Sequence, residues 1–301
     1  PAPGQVDRWR SLPFVVVGLG PAGGSGDPRA AIPDEWLELV DVVADRAGGA
    51  LDALESTVGA NPVAATTLAL LLRGAERRSV ADGLIAESAA YSTLQGGREF
   101  AGWRAEHPQR DRADDDHPRV RCQRNGARLD ITLTRPDARN ALDAAMRDAL
   151  HDALVVAALD PEIDQIDLRG EGPSFSAGGD LDEMGRRTDP ASAHLIRLHR
   201  SPARLLSNLA AQTTAHLHGA CAGSGIELPV FANRVLAAPN TTFALPEIGL
   251  GLVPGAGGTV SLPARIGRHR TAWLALTGHT IDASTALSWG LADDIDTAGE
   301  P

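Results

Sequence analysis

Apolar residues recur at three- and four-residue spacing through most of the N-terminal third of the chain. Trp36, Leu37, Val40, Val43 and Ala44 trace one such stripe after Pro33, and Leu51, Leu54 and Val58 resume it past Gly48-Gly49, the spacing of helices that bury one face. Residues 62–73 predict another helix, and residues 79–93 a further one with Leu84, Ile85 and Tyr91 on its apolar side. Upstream, Phe14-Val15-Val16-Val17 reads as a strand that runs into Gly18-Leu19-Gly20-Pro21-Ala22-Gly23. That string fits G-x-G-x-x-G, but a dinucleotide site needs a helix at once. Gly24, Ser25, Gly26, Asp27 and Pro28 come instead, so a plain glycine-rich loop is expected.

The pattern is lost from Glu106 to Pro118, where Asp111, Asp114, Asp115 and Asp116 cluster between prolines as in a solvated linker. Residues 1–110 are therefore expected to form a small, mainly helical N-terminal domain, 111–118 a linker, and 119–301 a second domain. In that second part, residues 128–134 alternate as a strand does. Ala141, Leu142, Met146, Leu150, Leu154 and Val155 mark an amphipathic helix over 140–159, and 163–168 is a buried strand. Strand, helix, strand and glycine turn, repeated, is the order of an α/β core with crossover connections.

Composition narrows the field. A net charge of −11 argues against a nucleic-acid partner. The chain has no lysine, so any phosphate contact from a cationic side chain falls to arginine or histidine. Cys122 and Cys221 lie far apart without metal-ligand spacing, which fits a reducing compartment and neither disulfide nor metal site. With no long apolar run and no leader-like start, a cytoplasmic protein without membrane contact is expected.

Candidate chemistry concentrates between Gly219 and Thr259. Glu227 comes directly after Ala222-Gly223-Ser224-Gly225-Ile226, Glu247 sits in Ala244-Leu245-Pro246-Glu247-Ile248, and both have apolar neighbours. An acid in such a place is paired, neutralised or used. Residues 215–217 read as a buried strand, and a helix is expected to open near Ser224. Its first N–H groups would point beyond the terminus. A second donor is expected from the turn Pro173-Ser174-Phe175-Ser176-Ala177-Gly178-Gly179-Asp180. Two N–H groups aimed at one oxygen can stabilise the charge growing on a thioester carbonyl. Asp180 is expected to fix its turn or to cap the next helix, and His216 and His218 to be hydrogen-bonded structural residues.

Four segments together resemble the crotonase (enoyl-CoA hydratase/isomerase) superfamily. They are Arg135-Pro136-Asp137-Ala138-Arg139-Asn140-Ala141-Leu142, then Phe175-Ser176-Ala177-Gly178-Gly179-Asp180-Leu181, then Gly219 to Glu227, then Pro246-Glu247-Ile248-Gly249-Leu250-Gly251 with Pro254-Gly255-Ala256-Gly257-Gly258-Thr259. The resemblance implies an α/β fold built as a spiral of β-β-α turns and an acyl-CoA substrate. It implies oxyanion donors at Gly179 and Ser224, the latter usually glycine in the family, and catalytic glutamates at Glu227 and Glu247. Arg135 and Arg139 are candidate contacts for CoA phosphates, and Ala177, Asp180 and Gly223 further substrate contacts. Hydration of a 2-enoyl-CoA is the reaction it favours, with no cofactor beyond CoA and a trimeric or hexameric homo-oligomer as the assembly. Isomerisation, thioester hydrolysis, cofactor-independent oxygenation and a non-catalytic acyl-CoA-binding role are the alternatives. Residues 88–97 are also similar to an extension in the dihydroxyphenylacetyl-CoA dioxygenase group, although an ordinary helix with a Gly-Gly stop is the favoured reading. The usual C-terminal covering helices are missing after Asp293, and the N-terminal segment is expected to cover or flank the site instead.

Overall fold

A computed structural model describes residues 9–20, 29, 32–45, 49–110 and 117–297 of the chain. The Pro21-Ala22-Gly23 end of the G-x-G-x-x-G string and residues 111–116 of the expected linker lie outside the described residues.

The N-terminal layer opens with β1 (Val17–Gly20), α1 (Asp34–Leu37) and β2 (Val42–Asp45). Two expectations are corrected here. The strand expected at 14–17 lies further along, on the glycines, and the helix expected through Ala44 stops at Leu37. Val42, Val43 and Ala44 are buried as a strand running parallel to β1. A β-branched pair in a parallel ladder overrides the helical spacing. Asp41 holds the junction: it accepts from the Val16 N–H at 2.8 Å and pairs with Arg73 at 2.7 Å. Arg73 also donates to the carbonyls of Leu12 at 2.7 Å and Phe14 at 2.6 Å, tying the incoming chain to a helix.

Next come α2 (Ala50–Ala60), α3 (Pro62–Arg73), α4 (Val80–Gln95) and α5 (Arg98–Glu106). Pro62 occupies the first turn of α3, where no N–H is required. Ser79 caps α4 by accepting from the Asp82 N–H at 3.1 Å. The apolar side of α4 differs from expectation, since Leu84, Tyr91 and Leu94 are buried while Ile85 is 49% exposed. Glu87, Ser88 and Ser92 share the buried side, so this helix carries a polar stripe inward.

The remaining strands form two sheets. A hairpin of β3 (Val120–Asn125) and β4 (Arg128–Leu133) leads into α6 (Ala144–Leu159) and β5 (Gln165–Gly170); after α7 (Pro190–His199) and α8 (Pro202–Asn208) come β6 (Thr213–Leu217), β7 (Ala220–Ala222) and the single turn α9 (Ser224–Glu227). The chain continues through β8 (Arg234–Ala237), β9 (Thr242–Ala244), α10 (Gly258–Ile266), α11 (Arg268–Thr277), β10 (Ile281–Asp282), α12 (Ala283–Trp289) and β11 (Asp294–Ile295). The larger sheet has the order β11-β8-β6-β5-β4-β3, parallel apart from the β3–β4 hairpin, and the smaller is β10-β9-β7. Successive turns place one strand in each sheet and then a helical segment, as β6, β7 and α9 do, which is the expected β-β-α spiral.

The N-terminal helices are not set apart from this core. Leu54, Leu68 and Leu84 belong to the same apolar cluster as Ile166, Leu262 and Leu274. Arg268 of α11 donates to the carbonyls of Leu37 at 2.7 Å and Val40 at 2.8 Å. Removing residues 1–110 is therefore expected to expose the apolar faces of α10 and α11 and yield an aggregating or inactive fragment, read by size-exclusion chromatography. Arg73→Ala would leave Asp41 buried without its ionic partner. A loss of about 3–5 kcal/mol in denaturant unfolding is expected.

Candidate active site

The site is built where two glycine-bearing loops are locked together. After β7 the chain turns through Gly223, at φ 49°, into α9. The Ala222 N–H donates to the Ser176 carbonyl at 3.1 Å and the Gly223 N–H to the Ala244 carbonyl at 3.0 Å. Gly225 is required by proximity, because a Cβ there would lie 2.1 Å from the Ser176 oxygen. On the other side, the wholly buried Asn140 donates from its amide to the carbonyls of Glu171 at 2.8 Å, Ser174 at 2.9 Å and Phe175 at 3.0 Å. Asn140 thereby fixes the turn that presents Gly179, a role not read from the sequence.

Gly179 and Ser224 both line a cavity of about 430 Å³, and the N–H of neither meets an acceptor among the described residues. The serine is accommodated because the turn does not need a left-handed residue there: Arg139 and Asn140 are the non-glycine residues with positive φ among those described. The Ser224 hydroxyl is buried without a hydrogen-bond partner among the described residues.

Both sequence-predicted glutamates reach the same cavity. Glu227, 2% exposed, accepts at Oε2 from the N–H groups of Ala256 at 2.7 Å and Gly258 at 2.9 Å. Glu247 is also buried, and its Oε2 has no partner among the described residues. Its other oxygen lies where a Cβ on Gly223 would come within 2.4 Å, so Gly223 serves as the floor beneath a carboxyl group.

A third acid, Glu87 of α4, completes the cluster. It accepts from Gly257 N–H, Thr259 N–H and Thr259 Oγ1, each at 2.7 Å. Sequence reading missed it. The available signal was the polar stripe Glu87, Ser88, Tyr91, Ser92 and Gln95, which recurs at helical spacing beside Leu84 and Leu94.

Burial raises all three carboxyls. It lifts Glu87 to about 7 against the pull of the Thr259 and Gly257 hydrogen bonds and the Arg197 charge, and lifts Glu247 to about 8, with the Glu87 charge adding to the rise. Glu227 is pushed well above the carboxylate range by burial and then by the charges of Glu247 and Glu87. Burial likewise pushes Tyr91 up to about 12. Three such acids cannot all ionise together in one low-dielectric cavity, so protons are shared among them. Arg197 is the nearby cation, with its guanidinium 4.7 Å over the Tyr91 ring and Nε 3.2 Å from the Ser88 hydroxyl.

The other candidate contacts divide. Asp180 borders the cavity, accepts from the Asp182 N–H at 2.9 Å and pairs with Arg135 at 2.7 Å, which makes it a fixer of its turn. Arg135 is held by Asp180 and by the Ala141 carbonyl at 3.0 Å, and it lies outside the cavity with the exposed Arg139. Ala177 also lies outside it and donates its N–H to the Arg139 carbonyl at 2.9 Å. Arg147, Arg186, Arg187 and Arg200 line the cavity together with Arg197. His216 pairs with Asp167 and His218 meets the Gly172 carbonyl at 2.9 Å, both as structural residues.

A spiral of β-β-α turns that presents two loop amides to a cavity with buried acids is an architecture of the crotonase class. The chain belongs to the enoyl-CoA hydratase/isomerase family, whose model matches residues 123–300. It is similar to the putative enoyl-CoA hydratase/isomerase YhaR of Bacillus subtilis, with 39% identity over 59% of this chain and 69% of that protein. It is 36% identical to the 2,3-dehydroadipyl-CoA hydratase of Escherichia coli over 55% of this chain, spanning 64% of that protein's length. Among solved structures, an enoyl-CoA hydratase from Thermoplasma volcanium matches with a TM-score of 0.56 and 32% identity, over 60% of this chain and 72% of that one. The glutamate-bearing helix α4 lies outside the segment that the family model matches.

The raised carboxyls fix the sign of a pH effect. Glu247 holds its proton to about pH 8 when folded, whereas an unfolded chain releases it near the ordinary value of 4.5. Between those values the native state binds more protons, so stability is fullest below the lower one and declines as pH rises through the upper. Thermal unfolding temperature is expected to fall from pH 5 to pH 8, and Glu247→Gln to flatten that decline.

Proposed function

We propose that the protein hydrates the double bond of a 2-enoyl-CoA, or catalyses the reverse dehydration. The observation that carries this is the cavity itself: two loop residues whose amides meet no acceptor among the described residues, Gly179 and Ser224, border the same space as two buried glutamates that share protons. The thioester oxygen would accept from both amides, which stabilise the enolate-like charge by an amount on the order of several kcal/mol. Glu227 suits the base, because N–H donors at its Oε2 favour the carboxylate that removes a proton from water attacking Cβ. Glu247, lacking such donors at Oε2, suits the acid that delivers a proton to Cα. Water thus supplies hydroxyl to Cβ, and the proton count closes within the glutamate pair.

The exposed Arg186 and Arg187, which line the cavity, are the cationic groups that suit contact with the CoA phosphates. The chemistry calls for no cofactor beyond CoA. Unpaired Cys122 and Cys221 suit a reducing, cytoplasmic setting.

Incubation with crotonyl-CoA in ¹⁸O-labelled water is expected to abolish the enoyl thioester absorbance and place label at Cβ. A shifted double bond without label would make the protein an isomerase. Glu227→Gln and Glu247→Gln are each expected to lower kcat by roughly 10²–10⁴-fold while thioester binding, read by calorimetry, changes little. Near-normal turnover in either variant would end the two-glutamate reading.

A further inference from the structure

The loop 256–259 carries four successive amides, and they alternate between two acids. Ala256 and Gly258 donate to Glu227 Oε2 at 2.7 and 2.9 Å. Gly257 and Thr259 donate to Glu87 Oε1 and Oε2, both at 2.7 Å, and the Thr259 hydroxyl adds a further bond of 2.7 Å to Glu87 Oε2. Glu87 comes from α4 in the N-terminal layer, whereas Glu227 comes from α9 in the spiral core. One short loop is thus bonded to a carboxylate from each part of the fold.

We propose that Glu87 is a positioning residue: its carboxylate fixes the 256–259 loop and, through that loop, the orientation and proton affinity of Glu227. The inference rests on Glu227 being an acid–base group of the proposed hydration. Glu87 does not have the free oxygen that Glu247 presents; both its oxygens are bound to the loop. Its role in the reaction is therefore exerted through the amides it holds. The charged and titratable groups that bear on this cluster are Tyr91 on the same helix, Arg197 of α7, Glu227 of α9 and Glu247 beyond β9, with Arg147 of α6 acting on Arg197 and Arg104 of α5 on Tyr91.

Two influences of Glu87 on Glu227 have opposite signs. The Glu87 charge raises the proton affinity of Glu227, whereas the Ala256 and Gly258 amides lower it. Glu87→Asp keeps the charge but shortens the side chain by one methylene, so it cannot span Gly257 N–H and Thr259 together. Expected for Glu87→Asp is a kcat lower by about ten- to a hundredfold, with KM for the thioester little changed. The Glu227 carboxyl, followed by ¹³C-edited NMR, is expected to titrate at higher pH than in the wild type. Thr259→Val removes one of the three bonds and should move both readouts the same way by less, which keeps the test alive if Glu87→Asp fails to fold.

Wild-type kcat and Glu227 titration in both variants, with only a lower Tm, would mean that Glu87 merely anchors α4 and would overturn the proposal. So would an effect confined to Glu87→Gln, which would assign the influence to charge alone. Wild-type turnover in Glu227→Gln would instead remove the hydratase reading, and the NMR titration would still decide whether Glu87 positions Glu227.

Discussion

Three carboxyl groups share one buried space, and most of the surrounding structure answers the problem that this creates. A carboxylate taken from water into a low-dielectric interior loses several kcal/mol of solvation unless it is neutralised or hydrogen-bonded. Here each acid is treated differently. Glu87 receives three donors, Glu227 receives two at one oxygen, and Glu247 Oε2 has none among the described residues. That gradient in donors sets groups of one chemical type apart, because each N–H bound to a carboxyl oxygen favours the ionised form against the cost of burial.

The donors come from the backbone, which explains the glycines. Side-chain donors would fill the cavity and could move, whereas amides of a loop entering α10 are small, fixed and already polarised by the helix terminus. Gly258 illustrates the crowding, since a Cβ there would lie 2.7 Å from the Glu227 side chain. The same economy appears at the paired loops. Asn140 holds one through three carbonyls, and the Ser176 oxygen presses on Gly225 in the other, so the two amides at the cavity are preorganised before any ligand arrives.

Much of this was legible in the sequence, and the rest was hidden for physical reasons. Helices whose burial follows local spacing, such as α2, α3 and α6, lay close to where periodicity placed them, and Glu227 and Glu247 stood out as acids among apolar neighbours. β2 and β3 were hidden because strand pairing is decided by a partner elsewhere: Val42 and Val43 look helical until β1 lies beside them. Arg135 illustrates the same limit for charge, since nothing local says that its partner is Asp180, 45 residues away. Glu87 is the extreme case. Its three donors lie 170 and 172 residues along the chain, and no window of sequence contains both ends of the bond.

The polar inner face of α4 is therefore neither an accident nor a flaw in packing. A helix whose buried side carries Glu87, Ser88 and Ser92 cannot be docked by apolar area alone, and Leu84, Tyr91 and Leu94 supply only part of the drive. The rest must come from satisfied polar contacts, which depend on close placement: Glu87 on the 256–259 loop, Ser92 on the Pro190 carbonyl at 2.8 Å, and Ser88 on Arg197 at 3.2 Å. A slip of one helical turn would leave those groups buried and unpaired, at a cost of about 1–3 kcal/mol each. One of the contacts that fix the register of α4, the Glu87 carboxyl on the 256–259 loop, thus also holds the loop that is bonded to Glu227. A displacement of α4 would therefore take Glu87 away from the amides of Gly257 and Thr259, which alternate along the chain with those bound to Glu227.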